Sequence, residues 1–453
     1  MIKTSKTKSN LTDLKGVFQD SQIPKSVNKK EMEYTYFPSD EIGYIYLGKR
    51  SEFTLKKLKK AIMVIIQNNK KGMNLEIKDF SNEEMTEEEI IKLFVETYEF
   101  ETAVLWNKKT GDKKPKEPKD IIITDINSEL SKKAFTESLI LSESQTFARN
   151  LQTMAPNECN SETLAKMIES EFSEVQNIST KVLKLEEIKK MNMGLLLAVN
   201  SASNYEPRVV VLEYKGDPSS KEKTVMVGKG ITFDAGGMNI KTGRHMLGMK
   251  YDMSGAAIVT AAMKAIASIS PKANISIVAP LTDNVISNTA GLPDSVWTSM
   301  NGKTVEINNT DAEGRLVMAD AITYGIRNLG ATKIIDISTL TGAVLVALGQ
   351  TFTGVWTTKD SDWELINKTA KIQNELVWRM PFHEDFGKYI NKSLVADLKN
   401  TDLTGLGGSS SAAMFLKEFT ENVDYIHLDI AGTAADNNGK CFGPMVKTLA
   451  KLF

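Results

Sequence analysis

The sequence predicts an α/β fold, with a smaller N-terminal α/β domain and a larger C-terminal domain built on a central, mostly parallel sheet flanked by helices. The chain has 453 residues, more than one ordinary domain holds. Hydrophobic residues make up 41% and charged residues 25%, proportions that allow a sizeable buried core. From residue 180 onward, apolar runs rich in β-branched residues alternate with segments of helical periodicity, a pattern typical of a parallel sheet covered by helices.

Residues 1–150 are predicted to form the N-terminal domain, although residues 1–40 show no interpretable pattern. Short apolar runs predict two strands, and apolar positions at helical spacing predict two helices. These elements are the strands Tyr44–Gly48 and Ile121–Thr124 and the helices Leu55–Asn68 and Glu83–Val95. A long amphipathic helix over about residues 128–152 is expected to connect this domain to the next.

Residues 151–453 are predicted to form the second domain, which begins with a helix N-capped by Ser161. Its expected strands are Val209–Tyr214, Thr224–Val227, Asn274–Ala279, Lys333–Ile337 and Tyr425–Ile430. Its main expected helices are Glu162–Phe172, Ser254–Ile269, Leu316–Asn328, Trp363–Leu376 and Ala412–Thr420. The glycine- and serine-rich residues 401–411 are predicted to be a flexible loop. In sheets of this kind, functional sites form at the carboxyl ends of the strands.

Charge and composition argue against several classes of protein. The net charge is −1, and residues 1–150 contain 26 Lys and Arg against 24 Asp and Glu, so we expect no nucleic-acid partner. No apolar run reaches the length of a membrane span, and the basic N-terminus lacks the apolar segment of a signal peptide. The two cysteines, Cys159 and Cys441, match no metal spacing and fit a reducing compartment. We therefore expect a cytoplasmic protein without a membrane partner.

The octapeptide Asn309–Leu316, with the sequence NTDAEGRL, is the strongest candidate for a functional site. It lies between a predicted strand and a predicted helix. If the turn is extended, its three charged side chains, Asp311, Glu313 and Arg315, point to one side. Two carboxylates and a guanidinium in that arrangement indicate a site for a hard metal ion with an adjacent anion clamp.

A second cluster of charged residues follows the strand that ends near residue 227. It contains Lys229, Asp234, Lys241 and Asp252. Together with the octapeptide it would place four carboxylates close together, and these would repel one another unless cations neutralised them. Two divalent metal ions could do so and activate a shared water as a nucleophile. One basic group could polarise a carbonyl oxygen, and a lysine beside two cations could lose its proton and become a ligand.

These residues resemble the motifs of the leucyl (cytosol) aminopeptidase family. The octapeptide is similar to the family signature, and further blocks agree in order and spacing from about residue 145 to the C-terminus. Those blocks are Gly228–Gly237, Lys241, Asp252, Asp336–Gly342, Ala396–Asn400, Ala413–Phe419 and His427–Thr433. The resemblance implies a metal-dependent aminopeptidase that releases N-terminal amino acids, leucine and other neutral residues preferred, by attack of a metal-activated water.

The resemblance also implies which residues bind two divalent metal ions, Zn or Mn, with Mg or Co as alternatives. One ion would be held by Lys229, Asp234, Asp252 and Glu313. The other would be held by Asp234, Asp311 and Glu313. Two of the carboxylates would therefore bridge the two ions.

Two further roles follow from the resemblance. Lys241 would polarise the scissile carbonyl, and Arg315 would hold a bicarbonate that acts as general base. The residues implied for the substrate pocket are Met249, Thr339, Leu340, Gly342, Ala431 and Ala434. Members of the family are commonly homo-hexamers. Where this chain departs from the usual motifs, at Ala235 and Asn239, we expect altered support of the ligands and the same reaction.

Two alternatives remain open at the level of sequence. A two-metal dipeptide or cysteinylglycine hydrolase would need the same charged residues. Some relatives also bind DNA through their N-terminal half, although the near-neutral charge of residues 1–150 argues against this here.

Overall fold

The computed structural model describes residues 1–453 and divides the chain into two compact units, Met1–Thr146 and Phe147–Phe453. Each unit combines helices with a β-sheet and has its own hydrophobic core. The predicted α/β class is therefore confirmed.

The first unit contains a six-stranded sheet in the order β1-β6-β5-β2-β4-β3. All neighbouring strands are parallel except β3 and β4. The strands are β1 Ile2–Thr4, β2 Thr12–Val17, β3 Tyr34–Phe37, β4 Ile42–Tyr46, β5 Met73–Leu75 and β6 Ile121–Ile123. Half of them lie before residue 40, where the sequence shows no clear pattern because these strands are only three to six residues long.

Helices α1 Leu55–Asn68 and α2 Glu87–Thr102 pack against each other in this unit. The second helix begins four residues later than expected because Thr86 and Glu89 form a reciprocal capping box. Helix α3 Glu129–Thr153 follows and includes the point at which the two units divide.

The second unit contains a nine-stranded and a three-stranded sheet. Its strands are β7 Ile178–Leu183, β8 Arg208–Lys215, β9 Thr224–Gly228, β10 Gly230–Asp234, β11 Asn274–Asn284, β12 Ser295–Thr298, β13 Thr304–Ile307, β14 Lys333–Ser338, β15 Thr353–Thr357, β16 Val377–Arg379, β17 Leu398–Lys399 and β18 Asp424–Asp429. Its helices are α4 Ser161–Phe172, α5 Leu185–Lys190, α6 Gly194–Asn200, α7 Ser254–Ile269, α8 Gly314–Arg327, α9 Gly342–Leu348, α10 Asp360–Ile372, α11 Gly408–Lys417 and α12 Val446–Ala450.

The large sheet has the order β16-β15-β18-β14-β9-β11-β8-β7, and β10 also pairs with β11. Its central strands β18, β14, β9, β11 and β10 run parallel, whereas β15, β8 and β7 form antiparallel pairs toward the edges. The small sheet has the order β12-β13-β17. The parallel centre brings the carboxyl ends of several buried strands to one edge of the sheet.

Helices α7 and α8 both pack on the central strands β9, β11 and β14. The stretch Gly243–Ile269, which contains α7, is long and apolar enough to cross a membrane, but 78% of its most apolar window is buried inside the protein. Such burial is typical of a core helix. Its small residues allow this close packing, since a Cβ at Gly255 would lie 2.2 Å from the carbonyl oxygen of Ile337.

Two local predictions are wrong. The N-cap of α4 is Asn160, whose side chain accepts hydrogen bonds from the backbone of Glu162 and Thr163, and Ser161 is the first helical residue. The predicted loop at 408–411 forms the first turn of α11 and its serines are buried. Ser410 accepts a hydrogen bond from the Trp356 indole, so these small polar residues serve packing.

A buried carboxylate links α8 to the neighbouring α6. Asp320 is fully buried and accepts hydrogen bonds from the backbone N–H groups of Leu195, Leu196 and Met300, at 2.9, 3.0 and 2.8 Å. Burial raises the pKa of Asp320 to about 7, despite the three donors that favour its charged form. The acceptor-only carboxylate satisfies three otherwise orphaned backbone groups.

We expect Asp320→Asn to lower the free energy of unfolding by about 2–4 kcal/mol, because the amide NH2 would face a backbone donor and leave it unpaired. Urea unfolding at about pH 8, where the carboxylate is ionised, measures this loss. Thr323→Ser, in the same buried helix, serves as control and should cost about 1 kcal/mol through one lost methyl group. Equal losses in the two variants would contradict the role of Asp320.

Candidate active site

The charged residues singled out in the second domain meet at the ends of its strands. Lys229 lies where β9 ends and β10 begins, and Asp234 is the last residue of β10. Asp252 lies two residues before the start of α7, and Asp311 and Glu313 lie in the turn between β13 and α8. The parallel sheet thus places four separate segments of the chain around one point.

The turn that carries the octapeptide is not extended, so the condition under which its charged side chains would point to one side is not met. Glu313 has helical dihedral angles (φ −74°, ψ −34°), and the side chain of Asn309 accepts a hydrogen bond from the backbone of Asp311. Asp311, Glu313 and Arg315 each contact a different partner as a result.

Two lysines each lie between two carboxylates. The ammonium of Lys229 is 2.7 Å from Asp252 Oδ2 and 3.0 Å from Glu313 Oε1. The ammonium of Lys241 is 2.8 Å from Asp234 Oδ2 and 2.6 Å from Asp311 Oδ1. The cluster therefore pairs four acids with two bases and keeps an excess of acidic groups.

The second oxygen of three of these carboxylates is held by the protein. Thr339 Oγ1 donates to Asp252 Oδ1 at 2.6 Å. Asn284 Nδ2 lies 2.8 Å from Asp234 Oδ1 and 3.4 Å from Glu313 Oε2. One oxygen of each acid is fixed in this way, and the other faces the centre of the cluster.

The cluster fits divalent cations. One oxygen from each of Asp234, Asp252 and Glu313 lies within 4.8 Å of the other two, and all three residues are buried. Asp311 lies outside this triad and joins it through Lys241. Three buried oxygens, Asp252 Oδ2, Asp311 Oδ1 and Glu313 Oε1, face only the lysine ammonium groups, an arrangement expected of atoms placed to face positive charge.

Burial and mutual repulsion change the proton affinities of the cluster. Burial, reinforced by the neighbouring Asp234, raises the pKa of Glu313 to about 8 and also raises that of Asp252 and Asp311. Burial disfavours the charged form of the lysines, but the adjacent carboxylates outweigh it and raise the pKa of Lys229 and Lys241. The ammonium groups thus neutralise the acids.

Two glycines make room for the cluster. A Cβ at Gly314, the first residue of α8, would lie 2.4 Å from Lys229 Cε and 2.7 Å from its Nζ. Gly236 has φ +89°, and a Cβ there would also lie 2.9 Å from Asp311 Oδ1. Any larger residue at either position would displace a group of the site.

Arg315 is buried but is held by a single hydrogen bond, from its Nη1 to the carbonyl of Asn400 at 2.8 Å. Its Nε has no hydrogen-bond partner. Burial lowers the pKa of Arg315 to about 10, which leaves the guanidinium charged at neutral pH. A buried, charged guanidinium with a free N–H donor is suited to hold a small anion.

Two loops that carry predicted pocket residues are joined by Asp429. Its Oδ1 accepts hydrogen bonds from the backbone N–H groups of Leu340 and Ala431, both at 3.1 Å. The carbonyl of Thr339 accepts a hydrogen bond from Lys229, which ties the first loop to the charged cluster. Gly342 is exposed, with open space where a side chain would lie. Two other expected pocket residues are Met249, in a short 3-10 turn before Asp252, and the fully buried Ala434.

Sequence reasoning assigned no supporting role to three asparagines of the site. Asn284 reaches two carboxylates, and Asn400 contacts the octapeptide. Asn239, noted only as a departure, accepts a hydrogen bond from Thr310 in the octapeptide. The position of Asn284 at the carboxyl end of the buried β11 is the signal that could have found it.

Comparison with known proteins gives the same assignment as the motifs. Residues 146–450 match the model of the cytosol aminopeptidase family, catalytic domain. A probable cytosol aminopeptidase of Metamycoplasma salivarium is 47% identical over 450 residues, which cover 99% of this chain and 86% of the relative.

Two further relatives carry the same description. That of Mycoplasma pneumoniae is 39% identical over 412 residues, covering 90% of this chain and 91% of the relative. That of Bacillus licheniformis is 35% identical over 440 residues, which cover 94% of this chain and 88% of the relative. These matches confirm the family resemblance seen in the octapeptide. The chain therefore belongs to the cytosol aminopeptidase family of peptide hydrolases.

Proposed function

We propose that this aminopeptidase uses two divalent metal ions to release N-terminal residues from peptides, with leucine and other neutral residues preferred. The observation that carries the proposal is the cluster of four carboxylates and two lysines at the strand ends, of which only Lys241 and Asp311 are partly exposed. Family membership supports the peptidase activity, and the closely spaced, buried oxygens of Asp234, Asp252 and Glu313 support the metal ions.

Five residues would hold the two ions: Lys229, Asp234, Asp252 and Glu313 for the first, and Asp234, Asp311 and Glu313 for the second. The oxygen-rich ligand set suits Zn or Mn, with Mg or Co as alternatives. When bound, the ions would supply an activated water and polarise the substrate carbonyl. Lys229 would become a ligand after losing its proton, which nearby positive charge favours.

Lys241 is the proposed electrophilic residue. Its side chain is partly exposed, 14% against 4% for Lys229, so a substrate can reach it. Its ammonium would donate a hydrogen bond to the oxygen of the scissile carbonyl and stabilise the negative charge that develops there.

Arg315 would hold a bicarbonate beside the cluster, and this anion would supply a base for the attacking water. The unpartnered Nε and the full charge of the buried guanidinium support this role. The residue itself binds and orients the anion through its N–H groups.

The substrate's first side chain would contact Met249, Thr339, Leu340, Gly342 and Ala431. These residues are apolar or small apart from the threonine, which matches a neutral side chain such as that of leucine. The free amino group would lie beside the acids of the cluster and restrict cleavage to the first peptide bond. We also propose a cytoplasmic homo-hexamer, in line with the description of its relatives as cytosol aminopeptidases.

The decisive experiment measures hydrolysis of leucine amide, an N-acetylated leucine amide and cysteinylglycine, together with the metal content per chain, before and after chelation. The proposal expects about two metal ions per chain, turnover of leucine amide lost on chelation, and no turnover of the acetylated compound. Preference for cysteinylglycine would favour a dipeptide hydrolase instead. Light scattering tests the hexamer, and a gel shift at low salt tests DNA binding.

Lys241→Ala should lower kcat by about 10²- to 10³-fold and leave the metal content unchanged, because this lysine stabilises developing charge and is not a ligand. Steady-state kinetics and metal analysis of the same preparation measure both effects. Lys272→Ala, at an exposed lysine of the same unit, is the control. A parallel loss of metal would show that Lys241 has been assigned the wrong role.

Asp311→Asn should weaken one metal site more than the other, because Asp311 is proposed to bind only the second ion. Titration of the chelated protein with Zn or Mn should then give one affinity near that of the wild type and one that is lower. Equal weakening of both sites would contradict the asymmetric ligand set.

The stability of the chelated protein should fall as pH rises from about 4.5 to about 8 through Glu313. The pKa of Glu313 is higher in the folded than in the unfolded protein. Its contribution to the free energy of unfolding is therefore complete below the pKa of the unfolded state and is lost as pH rises through the pKa of the folded state. Urea midpoints across this range should show a shallower slope for Glu313→Gln than for the wild type. Identical slopes would mean that Glu313 does not bind the proton.

A further inference from the structure

Asn400 is a buried residue that the proposed chemistry does not use. It directly follows β17, which runs parallel to β13, and its backbone N–H donates to the carbonyl of Glu306 at 3.0 Å. The side chain and backbone of Asn400 are fully buried. Its position is therefore fixed relative to the strand that leads into the octapeptide.

The side-chain amide of Asn400 bonds to both ends of the turn. Its Oδ1 accepts from the backbone N–H groups of Asn308 and Asn309, at 2.9 and 3.3 Å. Its Nδ2 donates to the carbonyls of Asn309 and Ala312, at 2.7 and 3.3 Å. Donors on one side and acceptors on the other fix the orientation of the amide. The turn before Glu313 is thus braced by one side chain.

The backbone carbonyl of the same residue accepts the hydrogen bond from Arg315 Nη1. Because Nε has no partner, this bond sets where the guanidinium lies. Residue 400 therefore joins the turn that carries Asp311 and Glu313 to the guanidinium that follows it.

We propose that Asn400 is a positioning residue, which fixes the position of the Arg315 guanidinium relative to the metal-binding turn. The proposal rests on the function proposed above for Arg315. Loss of the amide would free the carbonyl of residue 400 from the turn, and the guanidinium would shift relative to the acids. A displacement of about 1 Å at a reacting group can cost about 100-fold in rate.

The neighbouring Asn308 offers a matched control. Its side chain joins the same two segments. Asn308 Nδ2 donates to the carbonyl of Thr401 at 3.1 Å, and Asn308 Oδ1 accepts from the backbone N–H and the hydroxyl of Thr401 at 3.2 and 2.7 Å. Its side chain makes none of the bonds to the octapeptide carbonyls or to Arg315. Asn308→Ala thus removes a comparable set of bonds without touching the proposed positioning contact.

The experiment compares kcat, KM for leucine amide, metal content and thermal stability of Asn400→Ala and Asn308→Ala in the metal-loaded protein. We expect kcat of Asn400→Ala to fall about 10- to 100-fold, with unchanged metal content and a KM within about threefold of that of the wild type. The kcat of Asn308→Ala should stay within about twofold of the wild-type value. If Asn400→Ala does not fold, Asn400→Ser, which keeps one donor, takes its place. A kcat equal to that of Asn308→Ala would overturn the proposal.

A double-mutant cycle with Arg315→Ala separates a positioning role from a purely structural one. If Asn400 acts through Arg315, the double variant should have kcat/KM within about twofold of Arg315→Ala alone. Additive losses would overturn the inference and leave the role of Arg315 intact. Wild-type activity in Arg315→Ala would refute the proposed function of Arg315 itself, and with it the proposal that Asn400 acts by positioning Arg315.

Discussion

The pairing of buried carboxylates with lysine ammonium groups is the interaction on which the catalytic unit depends. Asp234, Asp252 and Glu313 are brought together by separate segments, and their charges would force those segments apart if unbalanced. Lys229 and Lys241 each contact two acids and offset part of that repulsion. Removing one member of a buried pair typically costs about 3–5 kcal/mol because the other charge is left unpaired, so the loss of either partner would destabilise the fold as well as the site.

A layer of neutral groups gives the charged cluster one defined geometry. Asn284 holds one oxygen of each of two acids, and Thr339 holds one oxygen of a third. Asp429 performs a similar task for the loops around Leu340 and Ala431. Supporting contacts of this kind decide which oxygen of a carboxylate is free to act and how precisely it is placed.

The sequence was sufficient for elements whose patterns are long or chemically distinctive. Helix α7 has the predicted bounds because a run of sixteen mostly small and apolar residues is too long for a buried strand. The buried strands β9 and β14 could be predicted from their β-branched runs. The charged residues could be identified because acids and lysines rarely follow buried strands without a function.

Other features could not be read from local pattern. The partners of Asn400 lie about 90 residues earlier in the chain, and nothing near either segment indicates that they meet. The octapeptide's charged side chains would point to one side only in an extended turn, but helix α8 imposes a helical backbone on Glu313. Ser409, Ser410 and Ser411 have loop-like composition, yet tertiary packing places them in a helix.

The close approach of Gly314 to the aliphatic stem of Lys229 has a consequence for how this family can diverge. The space that a side chain at 314 would need is filled by the lysine methylenes. A change at either position alone would produce a clash or a void, so substitutions at the two positions must occur together. Positions 229 and 314, 85 residues apart in the sequence, should therefore vary as a pair, and an attempt to replace the Lys229 amine by design must reshape the start of α8 in the same step.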